Sequence, residues 1–448
     1  MAAEWATAKL GDVCDLFDAP HQTAPLSPDG PVVYLNVGDI HKGRVELRLS
    51  GRVSEDAARA WSGRVSPRAG DVVFGYEATV GEAALLTSDH RWCLGRRVGL
   101  LRPRLDLIDP RFLVYSWYTP RFQETLRANR VGGTTIESIR LTDLPTWTIQ
   151  LPNLDEQRRI AGILGALDDK IGLNRRMSQT LESTARALFR SWFVNFDPVH
   201  AKAADRDCGL PEHVADLFPD GFEESELGEL PTRWGVTDLG TVAEVIDCLH
   251  ARKPERRSSG LPLLQLWNIR DDGLVDMTDT YLIDEDDYAH WVSRMEAQPG
   301  DCVVTNVGRV GAVAQVPEGL RAALGRNMTG VRCRPEFNAP TFLIECLLSD
   351  AMREEMSRKV DSGTILDALN VRSIPRLRLV APQHELISAF ETLARPLRAH
   401  MEGLLRESRT LAALRDALLP KVMSGELRVP VAEPGSRFGR TPGVTSLP

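Results

Sequence analysis

Residues 153–192 read NLDEQRRIAGILGALDDKIGLNRRMSQTLESTARALFRSW, and the fold follows from how this stretch is read. Ile160, Leu167, Asn174, Leu181 and Leu188 recur every seven residues, and Ile163, Leu164, Ile171, Met177, Ala185 and Trp192 fill positions three or four residues after them. This is the seam of a long amphipathic helix that needs a partner helix. Asn153 followed by Glu156 has the pattern of a capping box, Pro152 ends any earlier helix, and Pro198 lies just past the end. At the rise of an α-helix the stretch spans about 55 Å, more than one compact domain can cover.

The mate lies near the other end of the chain. Phe390, Leu397, Leu404, Leu411 and Leu418 keep the same seven-residue interval, flanked by Leu386, Leu393 and Leu414. An antiparallel pair of long helices is the expected spine. Pro396 sits inside the second helix, so either the helix kinks there or a short helix over 384–394 precedes the long one.

Outward from these helices the chain repeats itself at a shift of 229 to 230 residues. Leu10-Gly11-Asp12-Val13 matches Leu239-Gly240-Thr241-Val242, and Gly70-Asp71-Val72-Val73 matches Gly300-Asp301-Cys302-Val303. Gly95-Arg96 pairs with Gly325-Arg326, Phe112-Leu113 with Phe342-Leu343, Thr135-Ile136 with Thr364-Ile365, and Pro152 with Pro382. The register holds and runs directly into each long helix, so the chain is two copies of a globular domain followed by a helix. Short apolar runs bounded by turn residues, such as PVVYLNVGDI, GDVVFGY and GDCVVTNVG, predict strands, and residues after Pro110 predict a helix, or two short ones broken at Pro120. The expected fold class is α+β: two pseudo-symmetric mixed α/β domains joined by two long antiparallel coiled-coil helices. The expected boundaries are 1–152, helix 153–196, connector 197–233, 234–382, helix 383–429, and a disordered tail 430–448 rich in Gly, Pro, Ser and Thr. The connector, dense in Asp, Glu, Gly and Pro without periodicity, reads as irregular but tethered backbone.

With 448 residues, 43% of them hydrophobic and 26% charged, the chain has the composition of soluble globular protein. It has neither an apolar run long enough for a membrane span nor a secretory signal, so a cytoplasmic location is expected. Seven scattered cysteines without a CxxC pair suggest reduced thiols rather than disulfides or zinc. The net charge of -8 is misleading as an average, because residues 191–235 hold ten acids and three bases. Residues 91–130 hold nine arginines against three acids, and the equivalent 321–360 hold seven bases against five acids. The chain is acidic in its connector and basic in its repeats.

No phosphate loop, dinucleotide fingerprint, HExxH, GxSxG or Cys/His cluster at ligand spacing is present, and the run Asp284 to Asp287 (DEDD) reads as a solvated face rather than a cation site. No catalytic residue and no metal are expected; the pattern favours a binding or scaffold role. Two domains related by an approximate two-fold across antiparallel helices match the local two-fold symmetry of a DNA duplex. Because the domains differ in sequence, their half-sites differ too, giving a bipartite, asymmetric target with an unread gap.

At this point the chain resembles the specificity subunits of type I restriction-modification systems over residues 1 to about 429. The residues that carry the resemblance are LGDV at Leu10 and its counterpart at Leu239, the GD-V turns at Gly70 and Gly300, and GTTI and SGTI at Gly133 and Ser362. LPNLDEQRRIAGILGALDDKIGLNRR and the following ALFRSWFVNFDPV resemble the family's central conserved region. The resemblance implies a non-catalytic subunit with two target-recognition domains and two spacer helices. Its implied partners are double-stranded DNA, two modification (methyltransferase) subunits and restriction/translocase subunits. S-adenosylmethionine, ATP and Mg would belong to those subunits, and the assembled complex would methylate adenine and cut unmodified DNA. Alternatives are a DNA-reading subunit of another modification or phage-defence assembly, and a structural adaptor that does not bind DNA.

Arg reads guanine, Asn reads adenine, and Lys, Arg and Thr contact phosphates. The candidate DNA-binding residues are therefore Lys42, Arg44, Arg96, Arg97, Thr134 and Thr135 in the first domain, and Arg270, Arg309, Arg326, Asn327 and Thr364 in the second. The heptad residues are the candidates for spacer and partner packing, with Leu181, Leu188, Leu404 and Leu411 expected to be exposed in an isolated chain.

Overall fold

The structure, a computed structural model, describes residues 5–430 apart from 21, 48–49, 62–64, 89, 133–136, 227 and 362–366. It divides into two compact units, residues 1–170 with 411–448, and residues 171–410. The long helices are α1 (Leu154–Phe193) and α2 (His384–Met423), and each contributes one segment to each unit.

In the first unit, β1 (Cys14–Asp18), β2 (Val72–Gly75), β3 (Ala83–Leu85) and β4 (Val98–Pro103) form an antiparallel sheet in the order β1-β4-β2-β3. Strand residues alternate faces, and here both faces are covered. Val72, Phe74 and Leu101 pack with the short helices Pro110–Trp117 and Pro120–Ala128 and with α1, while Val73, Val98 and Leu100 pack in a second core with a small sheet. That second sheet holds Val32–Leu35 between Gly51–Val53 and, in parallel, Trp92–Leu94. Burial on two faces explains why these strands read as continuous apolar runs rather than an alternating pattern. A ribbon of Ala6–Lys9 with Thr148–Leu151 ties the start of the domain to the strand that feeds α1.

The second unit repeats this plan. β5 (Ala243–Asp247), β6 (Cys302–Thr305), β7 (Val313–Gln315) and β8 (Met328–Cys333) take the order β5-β8-β6-β7. Leu261–Leu264 runs parallel to Ala322–Leu324, and Gly235–Asp238 pairs with Arg378–Ala381 just before α2. The same topology in both units is the structural form of the sequence repeat.

α1 starts as its sequence signals: the Asn153 side chain accepts the Glu156 N–H at 2.9 Å. In the first unit Ile160, Ala161 and Leu164 share a core with Leu418, Leu419, Val422 and Met423. In the second, Phe189, Trp192 and Phe193 surround Phe390, their ring centroids 5.3–6.1 Å from it. The helices therefore run antiparallel within each unit. Each large buried aromatic of this kind contributes about 1.5–3 kcal/mol. Asn174, 1% exposed, donates to Glu407 at 2.8 Å and to Ser408 at 3.3 Å, a polar seam position of the kind that fixes helix register.

Several readings change. α2 is one helix through Pro396, without a separate short helix before it. The proline is exposed, so the missing N–H lies on the solvated side, while buried Ala394 and Arg398 hold the flanking turns. Leu404 is buried, at 6% exposure, and Leu181, Leu188 and Leu411 are half-buried, because the partner helix covers the seam. The outward apolar residues are Ile163 and Leu414 in the first unit, at 40% and 47%, and Leu173 and Leu393 in the second, at 43% and 46%. The connector is structured rather than irregular: it holds helices Asp197–Ala203 and Glu212–Ala215 and a hairpin of Phe222–Ser225 with Gly228–Pro231. Its Val199, Val214 and Phe218 enter the second core, which tethers it despite its acidity. Residues 431–448, expected to form a tail, lie outside the described residues.

Candidate nucleic-acid interface

The sequences Gly95-Arg96-Arg97 and Gly325-Arg326-Asn327 form the same turn, leading into β4 and β8. Arg97 and Asn327 both take left-handed backbone, with φ of 74° and 66°. Asparagine accepts that region more readily than arginine. Glycine is required two residues earlier, because a Cβ on Gly95 would lie 2.4 Å from the Leu35 carbonyl, and one on Gly325 2.3 Å from that of Leu264.

Each turn is anchored by a residue that the sequence reading missed. The Tyr76 N–H donates to the Arg97 carbonyl at 3.3 Å, and Ile139 N–H donates to the Tyr76 carbonyl at 2.9 Å. In the second unit the Asn306 N–H donates to the Asn327 carbonyl at 2.8 Å, and Leu369 N–H to the Asn306 carbonyl at 2.9 Å. Asn306 adds side-chain bonds to the Leu369 carbonyl at 3.1 Å and from the Thr329 hydroxyl at 3.0 Å. These anchors join the turn to the segment after residues 133–136 or 362–366, which include Thr134, Thr135 and Thr364. Those three threonines lie outside the described residues. The signal that could have found Tyr76 and Asn306 was the repeat register, in which they are 230 apart.

The remaining candidates fall into two groups. Arg96 and Arg326 are exposed at the turns, and Arg97 is half-buried with an ion pair to Glu77 at 2.9 Å. Lys42, Arg44, Arg270 and Arg309 lie outside these two turns. Lys42, at φ 42°, is exposed, and its N–H donates to the Glu82 carboxylate. The Arg44 guanidinium reaches Asp168 of α1 at 2.9 Å, and Arg270 clasps Asp272 through Nε at 3.0 Å and Nη2 at 2.6 Å. Arg309 donates to the carbonyls of Leu266, at 3.3 Å, and Ile269, and pairs with Asp271. Arg309 and Arg270 thus converge on one turn.

Two acidic groupings find ordinary roles. Asp284 caps the helix Glu285–Trp291, accepting the Asp287 N–H at 2.9 Å, and pairs with Arg257 at 3.2 Å. Asp247, Cys248 and His250 bring possible ligand atoms within 4.8 Å of one another. Arg294 stands 3.7 Å from that carboxylate, and burial pushes the Cys248 thiol up, so both oppose a cation.

Two similar heads with differing turns, carried on paired helices, define a two-headed binding scaffold. The family model described as "Type I restriction modification DNA specificity domain" matches residues 2–183. The chain is 22% identical to the type I restriction enzyme HindI specificity subunit of Haemophilus influenzae, across 95% of this chain and 100% of that one. It is 24% identical to the MjaIX specificity subunit of Methanocaldococcus jannaschii, across 84% and 82%. The crystal structure of a type I S subunit from M. genitalium shares the fold, with a TM-score of 0.57 at 17% identity, covering 93% of this chain and 96% of that one. Residues 2–183 thus match the DNA specificity domain of type I restriction-modification systems, and over most of its length the chain is similar to specificity subunits of type I restriction enzymes. Among the described residues no helix is long and apolar enough to cross a membrane.

Proposed function

We propose that this chain reads a bipartite, asymmetric site on double-stranded DNA for a type I restriction-modification complex, one half-site per recognition domain. The recognition domains are residues 1–152 and 234–382, and the spacers 153–196 and 383–429, which contain α1 and α2. The observation that carries the reading is the repeated turn: the same left-handed geometry presents Arg97 in one domain and Asn327 in the other. Arginine suits guanine and asparagine suits adenine in the major groove, so one scaffold reads two sequences. Exposed Arg96 and Arg326 beside them suit phosphates, and Thr134, Thr135 and Thr364 complete the sets.

In this reading the chain is not itself catalytic. Two modification subunits dock on the outward apolar residues of the helices, Ile163 and Leu414 in the first unit and Leu173 and Leu393 in the second. Restriction/translocase subunits join that assembly, and S-adenosylmethionine, ATP and Mg bind to the partner subunits.

The test is genome-wide mapping of N6-methyladenine in cells carrying the chain with its modification subunit, against cells lacking the chain. A bipartite motif that depends on the chain is expected. Its absence from an assembled complex would leave a reader for another defence assembly or an adaptor. Arg97→Ala and Asn327→Ala should each weaken cognate binding by about 1–3 kcal/mol and relax one half-site only. Unchanged affinity with unchanged preference removes that residue from the reading set.

A further inference from the structure

Trp267 is 48% exposed, the one tryptophan among the large hydrophobic residues that the described structure leaves open to solvent. It occupies the single-turn helix Leu266–Asn268, directly after the strand Leu261–Leu264. That short turn is bound on one side by the Gly-Arg-Asn turn and on the other by Arg309. The Gly325 N–H, first residue of the Gly-Arg-Asn turn, donates to the Leu264 carbonyl at 2.9 Å. The Arg309 guanidinium donates to the carbonyls of Leu266 and Ile269. The indole N–H is fixed at 3.0 Å on the Asp279 carbonyl, and Asn268 donates to the carbonyls of Asp276 and Asp279, so the turn is held firmly. A cation covers the ring: the Lys253 ammonium lies 5.1 Å from the Trp267 centroid and 4.1 Å from that of Tyr281. Lys253 belongs to the exposed basic stretch Arg252 to Arg257, in which Arg256 is engaged by Asp279 and Arg257 by Asp284 and Glu255.

Among the described residues the first domain has nothing comparable. The matching turn is Val37–Asp39, in which Gly38 takes the place of Trp267, and the matching approach is PHQTAPLS rather than HARKPERR. An exposed indole in a soluble protein carries an unfavourable apolar surface, and a rigid one beside ammonium and guanidinium groups suits a polyanion with apolar faces.

We propose that Trp267, backed by Lys253, is a contact for duplex DNA that belongs to the second half-site alone: the ring packs on bases or sugars in the groove, and the ammonium beside it meets a phosphate. The inference rests on the reading that the second domain binds DNA. It adds that the two heads differ in kind as well as in sequence, the second having an aromatic contact at the position where the first has Gly38.

The test uses the assembled modification complex and a short labelled duplex carrying the methylated site recovered by mapping. Trp267→Ala should bind about tenfold more weakly, lose preference at base pairs in one half-site only, and keep the salt dependence of the parent. Lys253→Gln should weaken binding to all sequences and lower the salt slope by about one. Trp267→Phe, which keeps an apolar ring, should retain part of the half-site preference. If Trp267→Ala binds with unchanged affinity and base preference while its second domain stays folded, the proposal is overturned. Should the alanine variant unfold, Trp267→Phe and Lys253→Gln decide, and no change in preference or salt slope in either overturns it. A parent complex that does not distinguish the mapped site from a scrambled duplex refutes the underlying reading, and this proposal with it; a discriminating parent with silent variants refutes this proposal alone.

Discussion

The two copies of the repeat meet the long helices through opposite charges. In the first unit the helix supplies the acid: Asp168 of α1 receives Arg44 at 2.9 Å, the Tyr115 hydroxyl at 2.7 Å and Arg415 of α2 at 2.8 Å. In the second the helix supplies the base: Arg398 of α2 binds Glu345 at 3.0 Å and the Gly273 carbonyl at 2.8 Å. These are equivalent positions, since Tyr115 and Glu345, Asp168 and Arg398, and Gly43 and Gly273 are each 230 apart. They differ in burial as well, with side chains 3% and 2% exposed for Arg398 and Glu345 against 21% and 23% for Arg44 and Asp168. After duplication the scaffold stayed and the polarity of the joint inverted. The second domain placed on the first domain's helix position would set Glu345 against Asp168, a like-charge contact that disfavours that wrong seat.

The largest way to break this contrast is Arg398→Leu. It strands a carboxylate in the core, and the second unit should lose about 3–5 kcal/mol, whereas replacing both partners by leucine should be close to neutral. Hydrogen exchange of the amides in 340–348, compared with those in 110–117, would show whether the loss stays in one unit. Equal loss in the single and double variants would mean that packing, not charge, holds the joint. Asp168→Asn is the matching change in the first unit. Its arginines keep access to water, so the cost should be smaller, about 1–3 kcal/mol, read as a shift in denaturant midpoint. A cost equal to that of Arg398→Leu would erase the difference in burial from the account.

The joints also mark what a sequence can disclose. The heptads were legible because seven-residue spacing is local and strict, and the Asn153 cap and the breaks at Pro110 and Pro120 act within one turn of helix. The repeat was legible because register survives when identity does not. The role of Arg44 was not, since its partner Asp168 is 124 residues away and nothing local distinguishes a guanidinium bound to a helix from one waiting for phosphate. Arg270 and Arg309 were chosen for the same residue type and likewise turn out to bind Asp272 and Asp271. The connector failed for a different reason: Val199, Val214 and Phe218 are too irregularly spaced to show a period, yet each finds the second core.

The smallest effect would sharpen the comparison most. The second joint is crowded with acids, because Glu182 of α1 lies near Asp272 and Glu345 as well as its own partner Arg186, at 2.8 Å. Burial first, then those two carboxylates, raise its pKa above the ordinary 4.5, while Arg186 and Arg270 pull it back. The fold therefore favours the protonated acid. That contribution is fully present below pH 4.5 and is lost as the pH rises through the raised value. Glu182→Gln keeps the shape of the protonated form, so relative to the parent it should gain stability between pH 4.5 and 7, by less than about 1 kcal/mol because the site is partly solvated. Denaturant midpoints of both proteins across that range would test it, with the two curves meeting at the acid end. A variant less stable than the parent at pH 7 would make the Arg186 ion pair worth more than the crowding, and the second joint would then be balanced in charge, as the first is.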